Sequence, residues 1–277
     1  MRAKPFLKWC GGKAHLAPLI ASLMPKKINT YYEPCLGGGA VFFELAAQKR
    51  FKSAVLSDSN PRLIASYSEI RDAINSVCDE ISDLAGPVDS HRYEETRELF
   101  NDPDRGCLLA PLLIFLNKTC FNGLYRENSK GDFNSPKGDA SKFVPDLANI
   151  RAVSAALQGV ELFHKSLLQA ARSASKGDAV YIDPPYFPTS DTANFTAYDK
   201  AGFSHADQLE TAAVFSRLAR RGVTVIASNA DTPAARALYE HIPGATILSV
   251  SRRGTINSDP EKRGRVWEIL VVANRRR

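Results

Sequence analysis

The sequence predicts an α/β fold with a doubly wound, mostly parallel sheet at its core. Strand-like and helix-like segments alternate in the first and last thirds of the 277-residue chain. That alternation is typical of a parallel sheet with helices on both faces. Residues 61–158 break it with mostly helical and then polar segments. We therefore expect residues 1–60 and 159–277 to form the core, and residues 61–158 to be inserted between its halves.

The first third contributes two predicted strands and one helix. Thr30–Glu33 reads as a strand, and a glycine turn follows it. The apolar segment Val41–Ala47 then predicts a helix, and Ala54–Leu56 predicts a second short strand that ends at Asp58.

The middle third is predicted to be helical up to about residue 118. Apolar residues recur there at helical spacing; they include Leu63, Ile64, Tyr67, Ile70, Ile74, Val77 and Ile81. Pro111 is expected to break or kink the apolar segment Cys107–Leu116, because proline removes a helical donor. Residues 119–141 are rich in Gly, Asn, Lys and Arg, which predicts a loop or hairpin.

Alternation resumes after residue 158. The predicted strands are Val160–Phe163, Ala179–Ile182, Val223–Ala227, Thr246–Val250 and Val266–Val272. A helix is expected from about Ser204, because Ser204 and Asp207 have the spacing of a capping box. A second helix is expected near Ala234–Tyr239.

Composition indicates a globular cytoplasmic protein with a polyanionic partner. The chain is 44% hydrophobic and 24% charged, and no apolar run approaches the roughly 20 residues of a membrane span. Its five cysteines form no C-x-x-C pair and its five histidines lack metal-ligand spacing, so we expect free thiols and no metal. The net charge of +6 favours a nucleic acid. Basic residues cluster at Arg252, Arg253, Lys262, Arg263, Arg265 and Arg275 to Arg277.

The tetrapeptide Asp183-Pro184-Pro185-Tyr186 directly follows the buried strand Ala179–Ile182. Asp183 can accept hydrogen bonds from an amino group. The two prolines have nearly fixed φ angles, so their carbonyls are held rigidly as further acceptors. Tyr186 offers a flat face for a base. This arrangement suits a flat heterocycle with an exocyclic amine, but a strand ending in a proline turn explains the four residues equally well.

The glycine turn lies between a predicted strand and a predicted helix, where open α/β sheets bind ligands. Phe42 stands in place of the third glycine of G-x-G-x-x-G, which excludes a standard dinucleotide site. The pattern is an acid, Glu33, followed after three residues by Gly37 and Gly39, as in S-adenosylmethionine sites. Asp58, at the end of the next strand, is placed to accept hydrogen bonds from ribose hydroxyl groups. A tight structural turn is the alternative interpretation.

With these motifs together, the chain resembles the Dam-type, alpha-class family of DNA adenine-N6 methyltransferases from end to end. The matching segments, in chain order, are Phe6–Lys13, Glu33–Gly39, Asp58, Phe121–Arg126, Gly131–Pro136, Asp183–Tyr186, Ile256-Asn257 and Lys262–Gly264. The resemblance implies a methyltransferase fold with S-adenosylmethionine as methyl donor, no metal, and duplex DNA as partner. It also implies that residues 61–158 recognise the target. We expect a monomer in a bacterial or phage-infected cell, either solitary or part of a restriction-modification pair.

The resemblance also assigns roles to residues. The cofactor contacts would be Trp9, Lys13, Glu33, Gly37, Gly39, Asp58 and Asp183. The DNA contacts would be Lys8, Phe121, Asn122, Leu124, Arg126, Asn128 and Pro136. Phe121 would insert beside the displaced base, although packing inside the hairpin is equally compatible. Arg126 would contact a guanine edge, with a phosphate contact or surface ion pair as its alternative. Trp9 would cover the cofactor's adenine, with core packing as its alternative.

The predicted reaction is methylation of the N6 amine of a flipped adenine, with Asp183, Pro184, Pro185 and Tyr186 as the catalytic segment. The hairpin favours the site GATC or a longer site that begins with GAT. Three alternatives remain at this stage: an RNA adenine methyltransferase, a cytosine-N4 methyltransferase, and an inactive DNA-binding regulator.

Overall fold

The computed structural model describes residues 1–166, 169, 171–186, 203–253 and 265–273. Its strands are β1 (Ile28–Glu33), β2 (Phe51–Asp58), β3 (Gly86–Pro87), β4 (Lys142–Phe143), β5 (Glu161–His164), β6 (Ala179–Ile182), β7 (Thr224–Ala230), β8 (Ala245–Arg253) and β9 (Arg265–Ala273). Seven of them form one sheet in the order β5-β2-β1-β6-β7-β9-β8, and β3 pairs with β4 separately.

The sheet is mostly parallel, which confirms the predicted fold class. Strands β5, β2, β1, β6 and β7 pair in parallel, whereas β9 runs antiparallel between β7 and β8. The carboxyl ends of the parallel strands therefore share one edge, which is where open α/β sheets bind ligands. Glu33 and Asp58 end β1 and β2 there, and Asp183 directly follows β6.

Alternating side chains of the strands enter two hydrophobic cores, one on each face of the sheet. Tyr31 and Tyr181 point into the larger core, whereas Tyr32, Val180 and Ile182 point into the smaller one. This follows from the two-residue period of a strand, and it explains why β6 is apolar throughout.

Helices cover both faces. They are α1 (Ala17–Leu23), α2 (Ala40–Ala47), α3 (Pro61–Asp72), α4 (Ile74–Asp83), α5 (Ser90–Asn101), α6 (Leu109–Thr119), α7 (Leu147–Leu157), α8 (His205–Arg220) and α9 (Pro233–Ala237). The predicted capping box is confirmed. Ser204 Oγ accepts a hydrogen bond from the Asp207 backbone N–H, and the Asp207 carboxylate accepts one from the Ser204 backbone N–H. Within the described residues, no helix is long and apolar enough to cross a membrane.

The helices of residues 61–158 pack directly on the core. Tyr67 and Ile70 of α3 are fully buried and belong to the same hydrophobic cluster as Leu56 of β2. Asn60 caps α3 by accepting a hydrogen bond from the Leu63 backbone N–H. The region is therefore continuous with the core in packing.

The prediction that Pro111 breaks the helix was wrong. Helix α6 begins at Leu109 and continues to Thr119, so Pro111 occupies its first turn. A backbone N–H in that turn has no intrahelical acceptor, so proline costs little there. Cys107 and Leu108 lie before the helix.

The strand predictions for the seven-stranded sheet placed its elements correctly. They matched β6, shifted β5 by one residue and made the other five strands too short. Strand β2 begins at Phe51 rather than Ala54, and β8 extends from Ala245 to Arg253. The additional residues are mostly polar or exposed, so they carry little hydrophobic signal. The matched segments Ile256-Asn257 and Lys262–Gly264, and the basic residues Arg275 to Arg277, lie outside the described residues.

Candidate active site

The Asp183 carboxylate is held at both oxygens. Lys13 Nζ lies 2.9 Å from its Oδ2, and the Lys13 side chain is only 4% exposed. Ser228 Oγ, on β7, donates a 2.6 Å hydrogen bond to its Oδ1. Two partners on different elements therefore fix the plane of the carboxylate, while 17% of the Asp183 side chain stays exposed.

The segment after Asp183 is tied to the neighbouring strand and helix. Gln208 of α8 donates from Nε2 to the Pro185 carbonyl at 2.7 Å. Asn229 of β7 donates from Nδ2 to Gln208 Oε1 at 2.9 Å. Since both amides are buried, this chain of hydrogen bonds sets the path of the two prolines.

Tyr186 is anchored by its hydroxyl group and by a cation. Its OH donates to Glu268 Oε2 of β9 at 3.0 Å. Lys13 Nζ lies over its ring, 4.7 Å from the ring centroid. The same ammonium group is 3.9 Å from Glu268 Oε2, so Lys13 lies between two carboxylates.

The glycine turn requires glycine at both predicted positions. Gly37 and Gly39 have φ angles of 48° and 67°, in the left-handed region. A Cβ on Gly37 would lie 2.8 Å from Trp9 Cδ1, and one on Gly39 would lie 2.9 Å from Tyr67 Oη. The turn is therefore closely packed, and no larger residue fits at either position without a shift of its neighbours.

Asp58 binds this turn to β2. The Gly37 backbone N–H donates to its Oδ2 at 2.9 Å, and the Asn60 N–H donates to its Oδ1 at 3.0 Å. Burial raises the pKa of Asp58, and these backbone hydrogen bonds oppose the rise. The half-buried Trp9 lies against Gly37. Its ring also packs at a tilt against the ring of Tyr125, which lies in the polar residues 119–141; the ring centroids are 5.1 Å apart.

Glu33 is a buried acid at the end of β1, 2% exposed. Burial raises its pKa from the ordinary 4.5 to about 8, although the hydrogen bond donated by Tyr31 OH at 2.7 Å opposes the rise. The negative charge of Asp183 raises the pKa further. In the free protein Glu33 is therefore mostly protonated at neutral pH.

We expect Glu33 to make folding stability depend on pH. Its pKa is higher in the folded protein, so its contribution is fully present below about pH 4.5 and is lost as pH rises through about 8. Melting temperatures of wild type and Glu33→Gln, measured from pH 5 to 8.5, should diverge, with the wild type losing more stability. Parallel curves would contradict the raised pKa.

Asn117 joins the N-terminal segment around Lys8 to the polar segment, residues 119–141. Its Oδ1 accepts from the Lys8 backbone N–H at 2.7 Å, and its Nδ2 donates to the carbonyls of Lys8 and Gly123 at 2.9 and 3.1 Å. Asn117 is 1% exposed, so this junction is shielded from water. Lys8, Trp9 and the polar segment consequently form one connected surface.

Residues 119–141 form the predicted hairpin-like projection. Antiparallel bridges join Cys120 to Lys137 and Glu127 to Phe133, and a single 3₁₀ turn spans Phe121–Gly123. Phe121 is 50% exposed and Leu124 is 37% exposed, which contradicts the alternative that Phe121 packs inside the hairpin. Asn122 and Pro136 are also exposed.

Two hairpin residues are engaged within the hairpin. Arg126 donates from Nε to Asn134 Oδ1 at 2.8 Å and from Nη2 to the Asn134 carbonyl at 3.0 Å. Asn128 accepts at Oδ1 from the backbone N–H groups of Lys130 and Asp132. Arg126 remains exposed with an oriented guanidinium group, whereas the amide of Asn128 closes the loop.

Sequence reasoning missed the residues that support the site. Ser228 and Asn229 lie near the carboxyl end of β7, directly after its predicted apolar part Val223–Ala227. The reasoning that found Asp183 after β6 would therefore have found them. Glu268 was detectable as the charged residue within the apolar run Val266–Val272. Asn117 carried no local signal, because its partner Lys8 is 109 positions away in the sequence. Among the described residues, no cluster of His, Cys, Asp or Glu is arranged to hold a metal ion.

The chain as a whole is similar to known DNA methyltransferases. Residues 9–256 match the model of the D12 class of N6 adenine-specific DNA methyltransferases. A type II methyltransferase of Lactococcus lactis, M1.LlaDCHI, is 35% identical over 283 residues, which cover 97% of this chain and 95% of that protein. The archaeal type II methyltransferase M.MjaIII of Methanocaldococcus jannaschii is 34% identical over 98% of this chain and 99% of its own length. The DNA adenine methylase of Escherichia coli K12 is 32% identical over 97% of this chain and 95% of its own length.

Proposed function

Because the chain belongs to the D12 class of N6 adenine-specific DNA methyltransferases, we propose that it methylates adenine at the sheet edge around Asp183. The family assignment decides for DNA over RNA and for adenine N6 over cytosine N4. The observation that carries the placement is the Asp183 carboxylate, which Lys13 and Ser228 hold at the carboxyl edge of the sheet.

The residues around the glycine turn suit S-adenosylmethionine. Gly37 and Gly39 have positive φ angles that other residues rarely adopt, and the absence of side chains lets the backbone of the turn approach a ligand closely. The carboxylates of Asp58 and Asp183 suit a ligand that carries positive charge. We propose Trp9, Lys13, Glu33, Gly37, Gly39, Asp58 and Asp183 as the residues that hold it. When bound, the cofactor supplies an electrophilic methyl group.

Asp183 prepares the adenine amine. Its carboxylate accepts one N6 hydrogen, and the Pro184 carbonyl accepts the other, since Gln208 already engages the Pro185 carbonyl. Two acceptors draw the amine away from conjugation with the ring and orient its lone pair. Catalysis then depends mainly on positioning, and no covalent bond to the enzyme is required.

Tyr186 receives the flipped base. Taking an adenine out of the duplex costs a few kcal/mol, and stacking on an aromatic ring is worth roughly 1–3 kcal/mol. The Tyr186 ring is held at its hydroxyl by Glu268, so it loses little freedom when the base arrives. It therefore offsets part of the cost of flipping.

Residues 61–158 are proposed as the target-recognition region, with the hairpin as its reading element. Exposed Phe121, Asn122, Leu124 and Pro136 would face the duplex, as would Lys8, which Asn117 fixes beside the hairpin. Asn128 would act by closing the hairpin loop with its side-chain amide rather than by contacting DNA with it. The proposed site is GATC or a related sequence containing GAT, and the proposed functional unit is a monomer.

Replacing Phe121 with alanine should weaken base flipping, because the 50% exposed ring is proposed to fill the gap in the base stack. We expect kcat/KM for duplex DNA to fall about tenfold, equal to about 1.4 kcal/mol. The fluorescence rise of 2-aminopurine at the target position should shrink in parallel. Phe121→Leu keeps most of the wedge and should lose less; equal effects of both variants on flipping would argue against insertion.

The placement is tested with purified protein, labelled S-adenosylmethionine and a set of substrates. Duplexes containing GATC, a longer GAT site or a scrambled site are compared with an RNA hairpin. Mass spectrometry of the nucleosides should detect N6-methyladenine in duplex DNA and none in RNA. The Lys13→Met variant should lose transfer, since Lys13 pairs with Asp183; full activity of that variant would contradict the proposed site.

A further inference from the structure

Glu268 is a carboxylate buried within an apolar strand. Its exposed fraction is 1%, and its neighbours in β9 include Ile269, Leu270 and Val271, which are fully buried. It pairs with Ala230 in the sheet, at the edge that holds the active site. Burying a carboxylate is costly unless partners compensate it, so its contacts show what its position stabilises.

Two contacts of Glu268 lead into the catalytic segment. The Tyr186 hydroxyl donates to Glu268 Oε2 at 3.0 Å. Lys13 Nζ lies 3.9 Å from the same oxygen and 2.9 Å from Asp183 Oδ2. Glu268 thus reaches the last residue of the tetrapeptide directly and the first through Lys13.

These contacts restrict the tyrosine ring. A hydrogen bond at the tyrosine hydroxyl restricts the first side-chain torsion. The hydroxyl oxygen lies on the axis of the second torsion, so rotation of the ring about that axis is restricted by contacts with the ring face. The Lys13 ammonium group over the ring adds a cation–π contact. A hydrogen bond to a charged acceptor is stronger than one to a neutral acceptor, and burial strengthens it further.

We propose that Glu268 is a positioning residue for adenine methylation, holding the Tyr186 ring and the Lys13 ammonium group so that a flipped adenine stacks with its amine at Asp183. This rests on the function proposed above for Asp183 and Tyr186. Glu268 itself does not touch the base; it acts through the Tyr186 hydroxyl and through Lys13.

A double-mutant cycle tests the proposal. Glu268→Gln preserves the shape and removes the charge, whereas Tyr186→Phe preserves the ring and removes the hydroxyl. Each single variant should lower kcat on a target duplex about tenfold. Adding Glu268→Gln to Tyr186→Phe should lower kcat by less than about threefold more, because the shared contact is already lost. The fluorescence of 2-aminopurine at the target position should change alike in both single variants.

Two controls separate the possible failures. Wild-type turnover on the same duplex is measured first, and its absence would contradict the proposed function rather than the role of Glu268. If wild type is active and the two losses multiply fully, Glu268 does not act through the Tyr186 hydroxyl, and its proposed role in holding the ring is wrong. Should Glu268→Gln fail to fold, Tyr186→Phe decides alone, since wild-type kcat in that variant would overturn the role of the hydroxyl contact.

Discussion

Replacing Asp183 with alanine should lower kcat by about a thousandfold while leaving most of the affinity for duplex DNA. The loss combines two effects. The adenine amine loses its charged acceptor, and removing a group that stabilises the transition state typically costs 10²–10³ in kcat. Lys13 also loses the carboxylate at 2.9 Å, and its remaining carboxylate neighbour, Glu268, is more distant at 3.9 Å.

DNA affinity should survive because the proposed duplex contacts lie elsewhere, on Lys8 and the hairpin. Binding is measured by fluorescence anisotropy and turnover by methyl incorporation, with both assays on one duplex. Asp79→Ala is the matched control, since it removes an exposed carboxylate from α4. Near-wild-type turnover by Asp183→Ala would eliminate the proposed site.

Replacing Arg126 with alanine should relax sequence choice. A bidentate arginine contact to a guanine edge contributes about 1–3 kcal/mol of discrimination. The hydrogen bonds to Asn134 hold the guanidinium group in one orientation before DNA binds, which favours a specific contact over a mobile one. We expect the preference for the cognate base pair at one position to fall by about five- to 150-fold.

The measurement compares kcat/KM on the cognate duplex and on duplexes with each single base-pair change. Lys130→Ala supplies the control, because Lys130 is an exposed cation of the same hairpin loop. Replacing Lys130 should lower kcat/KM about equally on all duplexes, as expected for the loss of a phosphate contact. If Arg126→Ala also weakens all duplexes equally, Arg126 contacts phosphate and another residue reads the base.

Apolar runs and the residues that end them were sufficient to predict where the strands of the seven-stranded sheet lie in the sequence. Strand β6 was predicted from Ala179 to Ile182, as observed, because it is buried on both faces and apolar throughout. Strand β2 was predicted too short because its first residues are half-buried or exposed and carry no hydrophobic pattern. Pro111 was misjudged because the start of α6 has no side-chain cap that would mark Pro111 as a first-turn residue.

The site was predictable to the extent that its residues lie in contiguous motifs. Asp183 and Gly37 stand in recognisable segments, and each segment follows a predicted strand of a mostly parallel sheet, so both were expected at the carboxyl ends of the strands. The partners that orient them come from β7, β9 and α6, and only tertiary structure brings those elements together. Ser228, Glu268 and Asn117 each act on a residue more than 40 positions away.

The most direct test is to sequence modified bases in the genome of a methylation-deficient bacterial host that expresses the protein. The account predicts N6-methyladenine at GATC or at one longer site containing GAT, and none when the host expresses Asp183→Ala. Modified cytosine, methyladenine without a GAT context, or methylation by the Asp183→Ala variant would each contradict it.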